Sequence, residues 1–344
     1  MKARMFSHIP VICVCFLLFL SGCQKKKSKV SDVLLEPVFT WGGVEGESMI
    51  GGISDFIGSS EDKTICLDHV LCRVSFFDKK GGLIKHAGPK GRGPLEFIQP
   101  SYIEQIKDTL YIWDSVDGRF QNLTLDCKLI KTLIPKPQFD YNSIAHKSDG
   151  GFFCSSEGFR SDSLIQVYDY NAEMTGMFGR LEGDKVEYFD FADAKNYTKR
   201  KKIPPFEKNK VLLCYTSDHN LFVIHQAIPF LKKFREDGTL IFKRKLQSSV
   251  FERLESEFYA ANDSLPGYAF RLLRYWKDVA PDESGGIYLL LNNPSKMVVH
   301  HYDKNGILIE QLTGHEDNIS LIYFKDNKLW AYGEDSLFFY VFNV

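Results

Sequence analysis

The sequence predicts an all-β protein: a six-bladed β-propeller of four-stranded antiparallel blades, with the ring closed by an N-terminal strand. Three observations support this. Short β-rich runs recur, a turn of Asp, Gly or Asn separates successive runs, and a spare β-rich segment precedes the first repeat. The turns recur roughly 40 to 70 residues apart, which matches one propeller blade with two units enlarged. One domain therefore accounts for the 344 residues better than two.

Six turns mark the six repeats. They are Glu61-Asp62-Lys63, Lys107-Asp108, Ser148-Asp149-Gly150, Ser217-Asp218-His219-Asn220, Ser284-Gly285-Gly286 and Asp326-Asn327-Lys328. A β-rich run follows each turn, from Thr64–Leu67 in the first repeat to Leu329–Tyr332 in the last. The last repeat offers only three strands, so Val33–Trp41 is expected to supply its outer strand and close the ring. A β-sandwich or another β-solenoid is the alternative fold.

The composition limits the classes of function. The chain carries 43 Lys and Arg against 44 Asp and Glu, so net charge gives no argument for nucleic acid as a partner. A hydrophobic content of 44% is enough for a substantial core, which argues against intrinsic disorder. Removal of residues 1–22 would take away Lys2 and Arg4 and leave the chain slightly acidic.

The first 22 residues have the pattern of a bacterial lipoprotein signal. Lys2 and Arg4 precede an apolar run, Ile9–Leu20, that is too short for a stable membrane anchor. The run leads to Leu20-Ser21-Gly22-Cys23, which resembles a lipobox. The resemblance implies cleavage before Cys23 and acylation of Cys23, which would hold the protein stably at a membrane. An ordinary secretory signal with a Cys at the cut is the competing interpretation.

The mature chain is expected to have two parts. Residues 23–32 form the lipidated Cys and a basic tether, and residues 33–344 form the propeller. The tether either lies on anionic headgroups or is a plain solvated linker. Residue 24 is Gln rather than Asp, so the resemblance to lipoproteins implies the outer membrane. The protein is then expected to face the periplasm, and surface exposure is left open.

Five cysteines remain in the propeller: Cys66, Cys72, Cys127, Cys154 and Cys214. An odd number in an oxidising compartment leaves at least one free thiol. Cys66 and Cys72 flank a predicted hairpin, so a disulfide and two small buried side chains are both open there. The chain contains no C-x-x-C motif, so zinc and thioredoxin-type chemistry have no support.

Two stretches resemble a known family. Arg73–Asp78, followed by the glycine-rich Gly88–Phe97, is similar to the six-bladed β-propeller lipoproteins of Gram-negative gut anaerobes, relatives of NHL and TolB-like propellers. The similarity covers nearly the whole mature chain. It implies the fold and an envelope location, and it carries no settled activity. The family often has Gly where Leu95 stands, so this loop is expected to be less flexible here.

The long loops are predicted to gather on one face, because hairpins in a blade alternate between the two ends of the ring. These loops are 87–100, 135–141, 179–210 and 247–275. Long loops on a rigid scaffold are where binding usually occurs. In the last loop, Ser249-Val250-Phe251-Glu252 has a capping-box pattern and Leu254 and Phe258 continue one apolar helical face. That helix is expected either to cover the channel or to pack on a neighbouring blade.

Candidate binding residues lie in these loops. They are Lys90, Arg92 and Glu96 in the glycine-rich loop, Lys199 and Arg200 in a basic run, and Tyr268 and Trp276 near the last loop. The cations suit an anionic glycan, a peptide carboxylate or a lipid headgroup, although a solvated charge run and a purely structural loop are the competing interpretations.

Two acid–base pairs recur at the same five-residue offset in consecutive blades. Asp68 precedes Arg73 and Asp114 precedes Arg119, so each pair is predicted to form a structural ion pair. No catalytic residue, metal site or cofactor is assigned. Ca²⁺ bound by Asp184, Glu187 and Asp190 remains an unsupported option, and the G-x-S-x-G and H-E-x-x-H motifs are missing.

The predicted function is binding of a ligand or protein partner through the long-loop face. The partner is an unidentified glycan, peptide or envelope protein, with the membrane engaged through the lipid anchor. The alternative is a propeller enzyme, a lactonase-like hydrolase or a glycan lyase, with its site at the channel mouth. A third interpretation is a scaffold subunit of an envelope complex.

Overall fold

The computed structural model describes residues 30–43, 49–58, 63–138, 143–159 and 161–344. The predicted signal, Cys23 and most of the tether lie outside these residues, as does most of the first marker turn. Sheet architecture dominates the described chain, which contains six sheets.

The strands follow in chain order. They are β1 Ser31–Leu34, β2 Phe39–Gly42, β3 Ile53–Gly58, β4 Thr64–Asp68, β5 Arg73–Phe77, β6 Leu83–Ala87, β7 Pro100–Ile106, β8 Thr109–Asp114, β9 Arg119–Thr124, β10 Leu129–Leu133, β11 Ile144–His146, β12 Phe152–Ser155, β13 Ser163–Tyr168, β14 Met174–Arg180, β15 Val211–Tyr215, β16 Asn220–His225, β17 Phe230–Arg235, β18 Leu240–Lys245, β19 Trp276–Pro281, β20 Ile287–Leu291, β21 Val298–Tyr302, β22 Leu308–Thr313, β23 Ile319–Lys325, β24 Lys328–Gly333 and β25 Phe338–Asn343.

The sheets are the six blades of a propeller, which confirms the predicted fold. Blades 1 to 5 begin at β3, β7, β11, β15 and β19, and each runs through four consecutive antiparallel strands. Blade 6 consists of β23, β24 and β25, with β2 as its outer strand. The first strand of each blade lies innermost, so six inner strands surround a central channel.

The N-terminal segment closes the ring, as predicted. It was expected to pair with blade 6 alone, but it pairs with blades 5 and 6. Strand β2 pairs antiparallel with β25, with Phe39 opposite Val341, and completes blade 6. Strand β1 lies parallel to β22 as a fifth strand of blade 5. Trp41 in β2 is 5% exposed and stacks on Phe339 with ring centroids 4.4 Å apart. One short segment therefore clasps two blades.

Apolar side chains fill the wedges between adjacent blades. Between blades 1 and 2, Leu67, Val74 and Ile112 are all fully buried. Alternation along each strand directs successive side chains to the two neighbouring blades, so every strand contributes to two wedges. Burial of each large apolar side chain contributes about 1.5–3 kcal/mol to stability.

All five propeller cysteines are free thiols, so Cys66 and Cys72 do not form a disulfide. Cys66 lies in β4 and is completely buried, and burial raises the pKa of its thiol. Cys72 occupies the turn before β5, where its thiol donates to the carbonyls of His69 and Ile98. The two residues therefore have separate structural roles.

The two ends of the ring differ as predicted. One end carries short turns in which an Asp accepts backbone N–H groups, such as Asp78, which binds Lys80 N and Gly82 N at 2.8 Å each. The other end carries the long connections between blades, with three helices: α1 Phe191–Lys199, α2 Pro205–Lys208 and α3 Phe251–Ser264. Within the described residues, no helix is both long and apolar enough to cross a membrane.

Candidate functional site

The two longest connections, 181–210 and 246–275, pack against each other to form what we call the helical cap. The Lys195 ammonium at the middle of α1 donates to the carbonyls of Leu265 and Pro266, at 2.7 Å for Pro266. Lys201 pairs with Asp263 at 3.1 Å. The insertions between blades 3 and 4 and between blades 4 and 5 therefore form one joint surface.

Helix α3 packs on the blades rather than covering the channel. Its apolar face buries Phe251, Leu254 and Phe258, in agreement with the sequence pattern. Phe251 stacks on Tyr275 at 4.3 Å and meets the edge of Trp276 at 5.6 Å. The predicted capping box is wrong in detail, because the helix begins after Val250 and receives no side-chain cap.

Buried polar groups link separate segments of the cap to each other. Glu207 in α2 is fully buried, and its Oε2 accepts the backbone N–H of Leu273 at 3.0 Å. Burial raises the pKa of Glu207 to about 7. Asn209, also fully buried, accepts the backbone N–H of Glu182 at 2.8 Å. The bond from Glu207 to Leu273 joins the two insertions, and the bond from Asn209 to Glu182 joins the two ends of the first one, so the cap is one connected platform.

Exposed aromatic side chains cluster on the outside of this platform. Tyr188 is 73% exposed and Tyr268 is 79% exposed, while Phe189 and Phe191 are partly open to solvent. Phe189 lies edge-on to Phe191 at 4.7 Å and to Phe206 at 4.9 Å. Phe189 also meets Phe270, two residues from Tyr268, at 6.3 Å. We call Tyr188, Phe189, Phe191 and Tyr268 the aromatic face of the cap.

The cap contains three of the predicted binding residues in accessible positions. Lys199 and Arg200 are exposed at the C-terminal end of α1, where the helix dipole favours cations, and neither forms an ion pair within the described residues. Tyr268 is exposed on the aromatic face. The prediction that Trp276 contacts a ligand is wrong. Trp276 is fully buried against Phe251 and His300 and belongs to the core.

The glycine-rich loop with Lys90, Arg92 and Glu96 joins blades 1 and 2, whereas the cap is formed by the connections between blades 3, 4 and 5. Its N–H groups are used internally: Gly93 donates to Glu96 at 2.7 Å and Leu95 donates to Gln121 at 2.8 Å. The Arg92 guanidinium pairs with Asp117 at 3.2 Å, while Lys90 is exposed. The loop has a structural architecture rather than that of an anion cradle.

In the same loop, Leu95 occupies a backbone conformation that favours glycine. Leu95 has a φ of +62°, in the left-handed region that a side chain disfavours. Its N–H bond to Gln121 holds the backbone there, and the Gln121 amide donates to the carbonyl of Glu96 at 2.7 Å. A buried glutamine therefore holds a leucine in this left-handed conformation.

The two predicted ion pairs are not formed among the described residues. Asp68 and Arg73 face each other across β4 and β5, as do Asp114 and Arg119 across β8 and β9. The carboxylates instead accept backbone N–H groups of the preceding inter-blade loop. Asp68 binds Gly51 N at 2.7 Å, and Asp114 binds Ile98 N at 2.7 Å.

The arginines of these pairs bind other groups. Arg73 donates to the carbonyl of Met49 at 3.0 Å, and Arg119 pairs with Asp117 at 3.1 Å. In both blades, therefore, the carboxylate and the arginine bond to other groups and not to each other.

The central channel holds a cavity of about 510 Å³, and none of the residues that line it was singled out from the sequence as a candidate site. The cavity follows all six inner strands and reaches the short-turn end at Lys107, Ser148 and His219. Its wall contains no described residue of the helical cap. The cap and the channel are therefore two separate candidate sites.

Three carboxyl groups line the cavity from three blades: Asp55 in β3, Glu104 in β7 and Asp278 in β19. Asp55 accepts the N–H of Ile103 at 2.8 Å and Asp278 accepts the N–H of Ile322 at 2.7 Å, so each also links two blades. Burial raises the pKa of Glu104 and of Asp278 to about 7, and burial raises that of Asp55 well above its usual range. All three side chains resist ionisation.

A hydrogen-bonded chain leads from blade 3 to one of these carboxyls. His146 is 5% exposed and its Nδ1 lies 3.1 Å from the hydroxyl of Tyr102. The Tyr102 hydroxyl in turn bonds to Glu104, which lowers the pKa of that carboxyl against the larger effect of burial. Burial lowers the pKa of His146 to about 3, so its imidazole is neutral near pH 7.

The described residues contain no group of three or more His, Cys, Asp or Glu side chains suited to a metal ion. The carboxylates considered for Ca²⁺ have other contacts: Asp190 caps α1 by accepting the N–H of Ala192 at 2.8 Å, and Glu187 pairs with Lys185 at 3.3 Å. Asp184 is exposed in the same loop.

No protein-family model matches the chain, and no curated protein matches it. Solved structures share the fold. A member of the DUF4221 family from Bacteroides vulgatus has a TM-score of 0.58 and 10% identity, covering 91% of this chain and 99% of that one. A putative exported protein from Bacteroides fragilis has a TM-score of 0.56 and 13% identity, covering 88% of each chain.

A streptogramin B lyase has a TM-score of 0.52 and 11% identity, covering 90% of this chain and 87% of that one. Similarity at these identities demonstrates the propeller fold, and nothing further.

Proposed function

We propose that this protein is an exported lipoprotein of the cell envelope that binds a ligand or protein partner through the aromatic face of the helical cap. The observation that carries the proposal is the exposure of four aromatic rings on the cap, Tyr188, Phe189, Phe191 and Tyr268, with Phe189 and Phe191 4.7 Å apart. Aromatic side chains of this size are usually buried, and a group of them on a rigid surface is typical of an interface.

The construction of the cap supports this proposal. Lys195 joins α1 to the segment before Tyr268, and Glu207 joins α2 to the segment after it. The aromatic rings are thereby held on fixed backbone, so binding would cost little ordering entropy. Lys199 and Arg200 add exposed cations at the other end of α1, which suits a partner with an anionic part.

Export and lipid anchoring rest on the N-terminal sequence. The apolar run and the Leu20-Ser21-Gly22-Cys23 motif are the features of a lipoprotein signal. The fold neighbour titled a putative exported protein is consistent with this location. We place the protein at the outer membrane, facing the periplasm.

A second candidate is an enzyme whose site lies in the channel, as a hydrolase or a glycan lyase. The specific observation is that Asp55, Glu104 and Asp278 combine raised pKa values with a shared cavity, an arrangement used for acid–base catalysis. The streptogramin B lyase shares the fold. The metal-dependent lactonase version is disfavoured, since the described residues offer no metal-ligating group.

Site-specific photo-crosslinking tests the cap. With benzoylphenylalanine in place of Tyr268, a discrete adduct is expected in envelope extract, since that side chain is 79% exposed on the aromatic face. The same probe in place of Ile130, which is 50% exposed on an outer strand, serves as the matched control and is expected to give none. Equal adducts from both positions, or none from position 268, would contradict the proposal.

Replacement of the lipidated residue tests the anchor separately. Cys23→Ala removes the thiol that carries the lipid, so the protein is expected to move from the membrane fraction to the soluble envelope fraction. Fractionation followed by immunoblotting measures this. Retention of the variant in the membrane fraction would defeat the anchor, while leaving the cap proposal intact.

A further inference from the structure

We propose that the central channel contains a binding site for a small organic cation that carries N–H donors, such as a protonated diamine. The cavity of about 510 Å³ has the size of a small-molecule site, and its wall is made by all six inner strands. This site is separate from the cap and does not depend on the function proposed for the cap.

The first argument is the sign and pairing of the wall charges. Among the described residues, Asp55, Glu104 and Asp278 form no ion pair with any Lys or Arg. Asp55 feels repulsion from Asp278 and Glu104 in addition to the effect of burial. A cation in the cavity would favour the ionised form of all three groups, because opposite charges attract strongly where water is scarce.

The second argument is an unpartnered ring nitrogen on the same wall. The Tyr102 hydroxyl bonds to Glu104 and lies 3.1 Å from Nδ1 of His146. The imidazole is neutral near pH 7, and in the tautomer that donates from Nδ1 to Tyr102 its Nε2 is an acceptor. Nε2 has no hydrogen-bond partner within the described chain, although the side chain is 95% buried. An acceptor in this state is suited to an N–H donor of a ligand.

The distribution of these groups favours an extended cation over a metal ion. Asp55, Glu104, His146 and Asp278 come from blades 1, 2, 3 and 5, and they do not converge into a metal-ligating group in the described residues. Donors spaced along a carbon chain can reach acceptors on several walls. Tyr102 and Tyr323 add aromatic rings to the wall, which also favour a cation.

The other ionisable groups around the cavity are either neutral or lie at its rim. Cys214 and Tyr323 are held neutral because burial raises the pKa of each, and Tyr215 is held neutral in the same way. The cations lie at the rim: Lys107 is exposed there, and Lys147 is paired with Asp149 at 3.3 Å. His219 contacts Glu236 at the same end, and Lys325 acts on Glu104 from outside the wall.

Isothermal titration of the mature, detergent-solubilised chain tests the proposal, with putrescine as the probe. Saturable binding is expected near neutral pH, together with proton release that appears as a dependence of the heat on the buffer. 1,4-Butanediol, which lacks charge, and tetramethylammonium, which lacks N–H donors, are each expected to bind at least about tenfold more weakly. Equal binding of all three compounds, or no binding of putrescine, would overturn the proposal.

Variants locate the site. Glu104→Gln and Asp278→Asn each remove one cavity carboxylate and are expected to weaken putrescine binding by about tenfold or more. Glu283→Gln removes the same charge from the exposed short-turn surface outside the cavity and is the matched control. Equal weakening in all three variants would indicate non-specific charge attraction and would overturn the assignment to the channel. Thermal melts of each variant confirm that it is folded.

Discussion

Among the described residues, buried charged groups are paired in the interior of blade 4 and unpaired in the central channel. In blade 4, Lys233 is 2% exposed and its ammonium contacts Asp218 at 2.6 Å and the carbonyl of Lys304 at 2.9 Å. Lys232, 3% exposed, pairs with Glu182 at 2.6 Å. In the channel, Glu104 and Asp278 have no cationic partner in the described structure.

This difference separates charge that supports the fold from charge that is available for another task. A buried ion pair with complete hydrogen bonding satisfies both members and leaves nothing to bind. Carboxyl groups that line a cavity without a cation destabilise the fold when they ionise, and such sites are commonly functional. The two regions therefore predict opposite responses to removal of a carboxylate.

The largest effect is expected in blade 4. Asp218→Ala leaves the ammonium of Lys233 buried without its counter-ion, which is expected to lower the free energy of unfolding by about 3–5 kcal/mol. Asp237→Ala is the matched control, because Asp237 is exposed and its carboxylate bonds to Thr239, whose backbone N–H donates to it at 2.8 Å. That change is expected to lower the free energy of unfolding far less than Asp218→Ala does. Urea unfolding measures both, and equal losses would show that the blade 4 pair is unimportant.

A smaller effect of opposite sign is expected in the channel. The pKa of Asp278 is raised to about 7 by burial, so its contribution to stability is full below about pH 4 and is lost as pH rises through about 7. Asp278→Asn keeps an acceptor for the N–H of Ile322 and removes this loss. Relative to the wild type, the variant is expected to gain about 1–3 kcal/mol between those two pH values.

Urea unfolding at both pH values measures this gain. A variant that is less stable than the wild type near neutral pH would mean that the channel carboxylate supports the fold, as Asp218 does.

The sequence predicted the ring because blade architecture is a local, repeated pattern. Turn residues and alternating strands recur in each unit, and the three-strand last repeat pointed to closure by Val33–Trp41. The pattern did not reveal β1 as a fifth strand, because its partner β22 lies almost three hundred residues away along the chain, roughly at the opposite end.

The sites were predicted less well, for a physical reason. Exposed loops were found from their length, and Lys199, Arg200 and Tyr268 do lie on the cap. Trp276 was misassigned because burial depends on the insertion that folds over it. Asp55 and Asp278 recur at equivalent inner-strand positions beside a bulge, and that repetition is the signal that could have indicated the channel.

Partner capture by three forms of the protein tests the division between cap and channel most directly. Wild type, a Tyr188→Ala/Tyr268→Ala double variant and Glu104→Gln are each immobilised at equal amounts and exposed to the same envelope extract. We expect the species crosslinked at position 268 to be captured by wild type and by Glu104→Gln, and lost with the double variant. Capture that survives loss of both tyrosines and disappears with Glu104→Gln would contradict the account.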